Sequence, residues 1–548
     1  MTSRLRIVVA LLATALWILP LAAVGAQDAK TAAKPPEKPA EPAAPADVTT
    51  QGEVSVGGRP IAYTAIAGTI TVGATDTQDA QLGPEGKPLP GSQLALTPPK
   101  DPADEPPVAH MFYVAYFRVG AKAEDRPVTF FYNGGPGSST MWLHMGSLGP
   151  KYVETAGATH LPGAPYKLID NPDCLLDASD EVFVDMPGTG FGRLAGKDAG
   201  KAFWGVDQDA EAFARFIARF LAKYGRWNSP KYLFGESYGT TRSAVLADLL
   251  ENGKNIDLNG VMLLGQIFNF AEAAGLGRPG VDLPYVLVLP TFAATAWYHQ
   301  KLSPQPPALE PFLKEVEDFA IGEYMHALAQ GNDLSDAEKR RVAEKLHAYT
   351  GLPVDYVIKA NLRVTANEFE KTLEDAEGMT TGRYDTRFLG PTLDPLSQGA
   401  QYDPQSVAIS SAYVSLVNLY LRRDLKYGEG QTYLPRALFD GHHWDMSRAG
   451  AGGGLTSAVG LNVTDDLAQA MKTNPRLKVM VNDGYYDLAT PFFAAEYEEK
   501  HLPLPATLTK NIEYDWYESG HMAYVRDECR KQLHDRVAAF IKGASAGR

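Results

Sequence analysis

The chain has 548 residues, 45% of them hydrophobic, with 51 basic and 65 acidic residues and a formal net charge of −14. This length is large for one domain but ordinary for an α/β fold that carries insertions. The acidic balance argues against binding to nucleic acid or to an anionic membrane surface. The two cysteines, Cys174 and Cys529, could pair in an oxidising compartment or remain as two buried thiols.

The N-terminus has the features of an export signal. Two arginines precede an apolar run from Ile7 to about Ala23, and small residues before Gln27 offer a cleavage site. We therefore expect residues 1–26 to be a cleaved signal peptide, of a bacterial kind, and the protein to be periplasmic or secreted. An uncleaved membrane anchor is the alternative, because about 20 residues of low polarity could span a bilayer. Cleavage would remove two arginines and no acid, giving −14 − 2 = −16.

Composition divides the rest of the chain into four segments. Residues 27–48 are rich in Ala, Pro, Lys and Glu and are expected to form an extended linker. Residues 49–284 and 426–548 are predicted to form the two parts of an α/β core. The intervening residues 285–425 are helical and charged in pattern and are predicted to form a cap inserted over the sheet.

Apolar patterns predict the main elements of the first part of the core. Residues 52–75 and 108–132 are β-rich, and residues 206–224 have apolar side chains at helical spacing. A strand that ends at Tyr132 is followed by the glycine-rich loop of residues 133–139. Such a loop exposes backbone N–H groups that could stabilise an oxyanion, although an isolated loop of this kind would be a plain turn.

A second glycine motif follows at Gly235-Glu-Ser-Tyr-Gly239. The apolar run before it predicts a strand, and the residues from Thr240 onward predict a helix. A strand that turns sharply into a helix needs glycines beside the serine and leaves the hydroxyl exposed. This context predicts that Ser237 is a nucleophile in an α/β-hydrolase fold, with a central, mostly parallel sheet flanked by helices.

The partners of a serine nucleophile are expected downstream, first an acid and then a histidine. Asp487 follows a predicted strand and a glycine turn and is the preferred acid; Asp483, at the strand end, is the rival. His521 follows the next predicted strand and is the preferred base. His534 is the other histidine after a strand, but we expect it on a solvated helical face.

Adjacent histidines at His442 and His443 could suggest a metal site. Neighbouring side chains point in different directions on a helix or a strand, and no further ligand set is evident. We expect an exposed turn there, with no metal and no cofactor.

Together these motifs resemble the serine carboxypeptidase family. The resemblance covers roughly residues 110–265 and 475–540 and is carried by Asn133–Ser139, Asn171-Pro172, Val184–Phe191, Gly235–Gly239, Asp487 and Gly520-His521-Met522. It implies that Ser237 is the nucleophile, Asp487 the orienting acid and His521 the general base. It also implies that the backbone N–H groups of Gly135 and Tyr238 form the oxyanion hole.

The resemblance further implies a device for reading the substrate's terminal carboxylate. In the family, the residues equivalent to Asn133 and Glu236 bind that group. Glu236 can do so only when it is partly protonated, because an ionised carboxylate would repel the substrate. The alternative is that Glu236 is a buried acid that braces the turn.

Four positions depart from the family pattern. Phe131 stands where the family usually has Trp, Ser138 where Cys is frequent, and Thr240 where Gly is usual. Ser147 replaces the Glu of the family's E-L-G-P motif, which removes a carboxylate that would raise the pKa of Glu236. These changes preserve acyl chemistry but weaken the case for carboxylate recognition.

The sequence therefore predicts a secreted serine carboxypeptidase that acts on peptide or protein substrates through an acyl-enzyme. An esterase or acyltransferase on the same scaffold is the first alternative, and a non-catalytic binding protein is the second. No nucleic-acid or integral-membrane partner is implied. The oligomeric state is not set by the sequence.

Overall fold

The described chain is organised around a ten-stranded β-sheet. The structure is a computed structural model that describes residues 46–272, 277, 279–439, 441–449, 455–456 and 460–546. The predicted signal peptide and nearly all of the predicted linker lie outside these residues. Nine strands succeed one another in the chain as β1 (Val48–Val56), β2 (Arg59–Gly73), β3 (Val108–Arg118), β4 (Val128–Tyr132), β5 (Asp180–Val184), β6 (Lys231–Glu236), β7 (Gly260–Leu264), β8 (Lys478–Gly484) and β9 (Ile512–Tyr517).

Across the sheet the strands lie in the order β1-β2-β3-β5-β4-β6-β7-β8-β9, and the short strand Arg193–Ala195 pairs with β3. The pairs β1–β2, β2–β3 and β3–β5 are antiparallel. Every pair from β5–β4 to β8–β9 is parallel. The prediction of a mostly parallel central sheet flanked by helices is therefore confirmed.

Helices of nine or more residues pack around this sheet. They are α1 (Val206–Lys223), α2 (Tyr238–Asp248), α3 (Leu283–Tyr298), α4 (Leu309–Phe319), α5 (Asp336–Thr350), α6 (Pro404–Arg423), α7 (Thr464–Thr473), α8 (Phe492–Lys500) and α9 (Asp527–Ala546). Shorter helices include Met141–Gly146, Ala199–Phe203, Val354–Lys359 and Ala366–Thr372, and a hairpin pairs Met379–Thr381 with Leu389–Pro391. The amphipathic helix predicted at residues 206–224 is α1.

Two apolar clusters cover the opposite faces of the sheet. Successive side chains of a strand point to opposite faces, and Phe130 and Phe131 of β4 belong to different clusters. Leu233 and Phe234 of β6 divide in the same way. Since both faces are covered, the parallel strands are apolar throughout, as their continuous sequence patterns indicate.

The residues between β7 and β8 supply α3 to α7. A third apolar cluster joins α3, α4 and α5 to Tyr486 and Phe492, which follow β8. The predicted boundaries of the cap remain predictions; α3 begins at Leu283, near the predicted start. None of the described helices is both long and apolar enough to cross a membrane. Cys174 and Cys529 are separate buried thiols.

Candidate active site

Ser237 lies at the turn between β6 and α2. Its φ of 62° and ψ of −129° are rare for a residue with a side chain, and such strain is concentrated at functional sites. Its N–H donates to the carbonyl of Leu264 on β7 at 2.8 Å, which fixes the turn. A Cβ at Gly235 would lie 2.2 Å from the Gly239 oxygen, and one at Gly239 would lie 2.8 Å from the Tyr132 oxygen. The turn therefore requires both glycines.

Asp487 and His521 form a short hydrogen bond. Nδ1 of His521 lies 2.6 Å from Oδ2 of Asp487, and the Thr490 hydroxyl donates to the same oxygen at 2.6 Å. The backbone N–H groups of Ala489 and Thr490 donate to Oδ1 at 2.7 and 3.1 Å. Four donors converge on one buried carboxylate, so its orientation towards His521 is fixed.

The surroundings of His521 fix its ring and its charge state. The backbone N–H of His521 donates to the Tyr384 carbonyl at 2.6 Å. A Cβ at Gly265 would lie 2.8 Å from the His521 imidazole. Burial opposes protonation, but Asp487 and Glu236 outweigh it and raise the pKa of the imidazole above its ordinary value. The ring is thus prepared to accept and hold a proton.

The two rival residues lie elsewhere. The Asp483 carboxylate is within β8 and accepts the Gln266 N–H at 2.9 Å, and burial raises its pKa well above the ordinary value. His534 is 8% exposed and lies 3.1 Å from Asp177, so the expectation of a solvated position was wrong. The imidazole is covered where it meets Asp177, so this part of the α9 face is not solvated. His442 and His443 belong to no metal-ligating cluster in the described residues.

The glycine-rich loop after β4 lies against the start of α2. A Cβ at Gly134 would be 2.3 Å from the Tyr238 nitrogen. Within the described residues, the N–H groups of Gly135 and Tyr238 have no hydrogen-bond acceptor. Tyr238 opens α2, so its N–H also carries the partial positive charge of a helix N-terminus. Neither donor is used by another group of the described residues.

Glu236 is a buried acid beside Ser237. Burial raises its pKa to about 7, although His521 and hydrogen bonds from Tyr524 and Asn133 oppose the shift. The Tyr524 hydroxyl donates to Oε2 at 2.7 Å. Oδ1 of Asn133 accepts the Leu143 N–H at 3.0 Å, which fixes the amide. Glu236 is therefore partly neutral near pH 7.

A cavity of about 440 Å³ brings these groups together. Ser237, Glu236, His521 and the glycine-rich loop form one side. The rest of its wall comes from Trp142, Tyr384, Gln405, Ser406, Ile409, Ser410, Arg436, Ala437, Phe439 and Met522. Among the described lining residues, Arg436 alone carries a permanent positive charge. Ser237, His521 and the protonatable Glu236 thus open onto one space of substrate size.

Comparison with known proteins finds a family match for part of the chain. The family model described as serine carboxypeptidase matches residues 102–273. The resemblance to serine carboxypeptidases is confirmed. Pheromone-processing carboxypeptidase KEX1 of Saccharomyces cerevisiae is 33% identical over 102 residues, covering 18% of this chain and 13% of that protein. Serine carboxypeptidase-like 36 of Arabidopsis thaliana is 25% identical over 162 residues, covering 29% and 32%.

The chain thus matches about an eighth and a third of the length of these two curated relatives. Solved structures are also similar at low identity. A proline iminopeptidase from Mycobacterium smegmatis has a TM-score of 0.33 at 13% identity, covering 80% of this chain and 96% of that one. An Aspergillus niger epoxide hydrolase has a TM-score of 0.31 at 12% identity, covering 80% and 76%. TM-scores this low support no conclusion about function.

Two departures from the serine carboxypeptidase pattern have clear structural outcomes. Phe131 is in the core, with ring centroids 4.8 Å from Phe183 and 5.1 Å from Phe234. The Ser147 hydroxyl donates to the Leu143 carbonyl at 2.6 Å and does not reach Glu236. The pKa of Glu236 is nevertheless raised, because burial disfavours its charged form even without a second carboxylate nearby at position 147.

Several residues of this site were not predicted from the sequence. Thr490 lies three residues after Asp487, and Tyr524 three after His521, so their spacing to the motif residues was a usable signal. Tyr384 and Gln405 come from the insertion, where no motif marks them. Only the fold shows that they meet the predicted residues.

Proposed function

We propose that this protein is a serine carboxypeptidase that removes C-terminal residues through an acyl-enzyme on Ser237. The observation that carries the proposal is the 2.6 Å Asp487–His521 hydrogen bond at a cavity that also contains Ser237 and the protonatable Glu236. The match of residues 102–273 to the serine carboxypeptidase family supports the same activity.

The first step is acylation. Nε2 of His521 accepts the Ser237 proton while Oγ attacks the carbonyl carbon of the terminal peptide bond. The carbonyl oxygen becomes an oxyanion that accepts hydrogen bonds from the Gly135 and Tyr238 N–H groups. Asp487 stabilises the imidazolium. When the C–N bond breaks, His521 transfers its proton to the leaving amine.

Deacylation repeats the step with water. His521 takes a proton from a water molecule, whose oxygen attacks the ester carbon of acyl-Ser237. The C–O bond to Oγ then breaks, and His521 returns the proton to Ser237. Both halves use the same oxyanion donors, so the net reaction is hydrolysis of one peptide bond.

Carboxylate recognition sets the position of cleavage in this proposal. Neutral Glu236 donates a hydrogen bond to the substrate's terminal carboxylate, and the side-chain amide of Asn133 binds the same group. Because burial raises the pKa of Glu236 to about 7, the donor is present in acidic solution and is lost above neutrality.

We also propose that the N-terminal signal directs the protein to the periplasm or outside the cell, where peptide ends are its substrates.

The test compares three substrates from pH 4 to pH 8: a blocked dipeptide with a free carboxylate, its C-terminal amide and a simple acyl ester. We expect release of the terminal residue from the free acid and not from the amide, with a free-acid-to-ester activity ratio that falls as pH rises through about 7, and loss of all activity in Ser237→Ala. Cleavage of the ester alone would overturn the proposal in favour of an esterase or acyltransferase, the function that the serine at position 147 favours.

A further inference from the structure

Gln405 is a buried polar side chain in the wall of the active-site cavity. It is 1% exposed, and neither its Nε2 nor its Oε1 has a hydrogen-bond partner among the described residues. Buried amides are nearly always paired, because an unpaired donor or acceptor loses its contact with water and gains nothing. Both polar atoms of Gln405 are therefore unsatisfied next to the space that a substrate would enter.

Gln405 lies at the start of α6 and lines the same cavity as Glu236. Gln405, Ile409 and Tyr413 are spaced four residues apart and each is 1% exposed, so they form one buried stripe of the helix. The Tyr413 ring packs on Trp142 at 5.0 Å, and burial together with the Glu236 carboxylate raises the pKa of Tyr413. The Tyr413 end of this stripe is thus within electrostatic reach of Glu236, and Gln405 and Ile409 line the cavity.

We propose that Gln405 is a specificity-determining residue that hydrogen-bonds a carboxamide on the side chain of the substrate's leaving residue. The assignment rests on the proposed carboxypeptidase function, because that function places the leaving residue beside Glu236. No covalent step involves Gln405.

The chemistry of the unpaired atoms identifies the ligand class. Nε2 offers N–H donors and Oε1 offers an acceptor, and an Asn or Gln side chain presents the complementary acceptor and donor. Two antiparallel hydrogen bonds then satisfy both groups at once. A carboxylate would satisfy only the donor, and an aliphatic or thioether side chain would satisfy neither.

The expected discrimination is large enough to measure. Two net hydrogen bonds correspond to a preference of about 10- to 100-fold for a carboxamide over an apolar side chain of equal length. A site built to bond a polar group disfavours the analogue that lacks it, because the buried atoms of the site stay unpaired.

The experiment measures kcat/KM on blocked dipeptides that end in Gln, Asn, Met or Leu, with wild type, Gln405→Met and the control Gln51→Met. Gln51 is exposed on β1 and does not line the cavity. We expect wild type and the control to favour Gln over Met at least 10-fold, and Gln405→Met to reverse the order. Equal or greater wild-type activity on the Met peptide would overturn the assignment, whether or not the variant folds.

A second measurement separates this assignment from the carboxypeptidase proposal. Free glutamine and free methionine are tested as competitive inhibitors of ester hydrolysis, which needs only the acyl chemistry. Tighter inhibition by glutamine, lost in Gln405→Met, would support the role of Gln405 even if no peptide were cleaved. Equal inhibition by both amino acids would refute it even if peptides were cleaved. We expect the melting temperature of Gln405→Met to be no lower than that of wild type, since the substitution removes two unpaired polar atoms.

Discussion

At the scale of single residues, the proposed chemistry depends on how the Asp487 carboxylate is held. Both of its oxygens accept hydrogen bonds within 3.1 Å, and one of them is also hydrogen-bonded to Nδ1 of His521. The Thr490 hydroxyl is central to this arrangement, because it donates to Asp487 and lies 3.1 Å from Nδ1 of His521. We infer that Thr490 is a positioning residue for the acid and the base.

Thr490→Val keeps the shape of the side chain and removes the hydroxyl. We expect a loss of about 10-fold in kcat, with KM little changed, because one hydrogen bond to the carboxylate is worth about 1.5 kcal/mol. Thr490→Ser restores the hydroxyl and should restore most of kcat. A serine variant as impaired as the valine variant would show that the methyl group and its packing matter, and not the hydrogen bond.

Glu236→Gln replaces a titrating donor with a permanent one. In wild type, kcat/KM on a free-carboxylate peptide should fall as pH rises through about 7, because Glu236 ionises and repels the substrate. The glutamine variant should lose this decline while keeping the rise caused by deprotonation of His521. The ratio of free-acid to ester activity, measured from pH 5 to pH 9, isolates the effect. A ratio that declines equally in both proteins would assign the titration to another group.

At the scale of elements, a hairpin from the insertion holds the loop that carries His521. The turn between Met379–Thr381 and Leu389–Pro391 contains Tyr384, whose carbonyl accepts the His521 N–H, and Asp385, whose carboxylate accepts the Gly520 N–H at 3.2 Å. The backbone of the proposed base is therefore fixed by a segment more than 130 residues earlier in the chain.

Gly520→Ala tests this contact. The added Cβ would lie 2.3 Å from the Tyr384 oxygen and 2.5 Å from Cβ of Asp385, so the hairpin and the loop must separate. We expect a destabilisation of about 1–3 kcal/mol and a larger proportional loss of ester hydrolysis. The measurements are thermal melting and kcat on an acyl ester.

Gly543→Ala is the matched control for that variant. Gly543 lies in α9 with no atom within 4 Å of the added Cβ, so alanine should stabilise the helix by about 0.5–1 kcal/mol and leave activity unchanged. Full activity in Gly520→Ala would mean that His521 tolerates movement of its loop and that the hairpin does not position it.

At the scale of the whole molecule, buried acids with raised pKa values set the pH dependence of stability. Burial raises the pKa of Glu370, Glu498 and Glu499 to about 8 and that of Glu236 to about 7. A carboxyl with a higher pKa in the folded state keeps its proton there while the unfolded chain ionises. Its contribution is fully present below about pH 4.5 and is lost as pH rises through 7 to 8.

We therefore expect the melting temperature to fall steadily between pH 5 and pH 8. The raised pKa of His521 acts in the same direction, because the folded state again binds the proton more tightly. Glu499→Gln should flatten the decline, since both oxygens of Glu499 are buried without partners in the described structure. A melting temperature that rises over this interval would show that these acids are ionised in the folded protein.

How much of the site could be predicted depended on how local its geometry is. The Ser237 turn is dictated by neighbouring glycines that only a strand-to-helix turn needs, so the sequence was sufficient. The surroundings of Glu236 were not predictable in this way. Its sequence suggested a missing carboxylate partner, whereas burial and the Tyr524 hydroxyl, 288 residues away, determine its protonation.

The same limit explains why His534 was predicted wrongly and why no functional residue was predicted in the insertion. His534 lies on a helix whose pattern suggested a solvated face, and its contact with Asp177 depends on packing across 357 residues. Gln405 and Tyr384 belong to a segment whose pattern gave helices but no chemistry. The strands that carry the motifs could be expected from the sequence, but not which side chains of the insertion would meet them.

The hydrogen bond from His521 to Tyr384 has a consequence for the engineering and divergence of this scaffold. An inserted segment that makes no contact with the catalytic residues can be shortened or exchanged between proteins without changing the catalytic step. Here, a chimera that replaced the insertion would also have to supply the carbonyl and carboxylate oxygens that accept the backbone N–H groups of His521 and Gly520. Without them, the proposed general base would lose its fixed position. We therefore expect point substitutions along α6 to change the substrate preference with less loss of activity than exchange of the whole inserted segment.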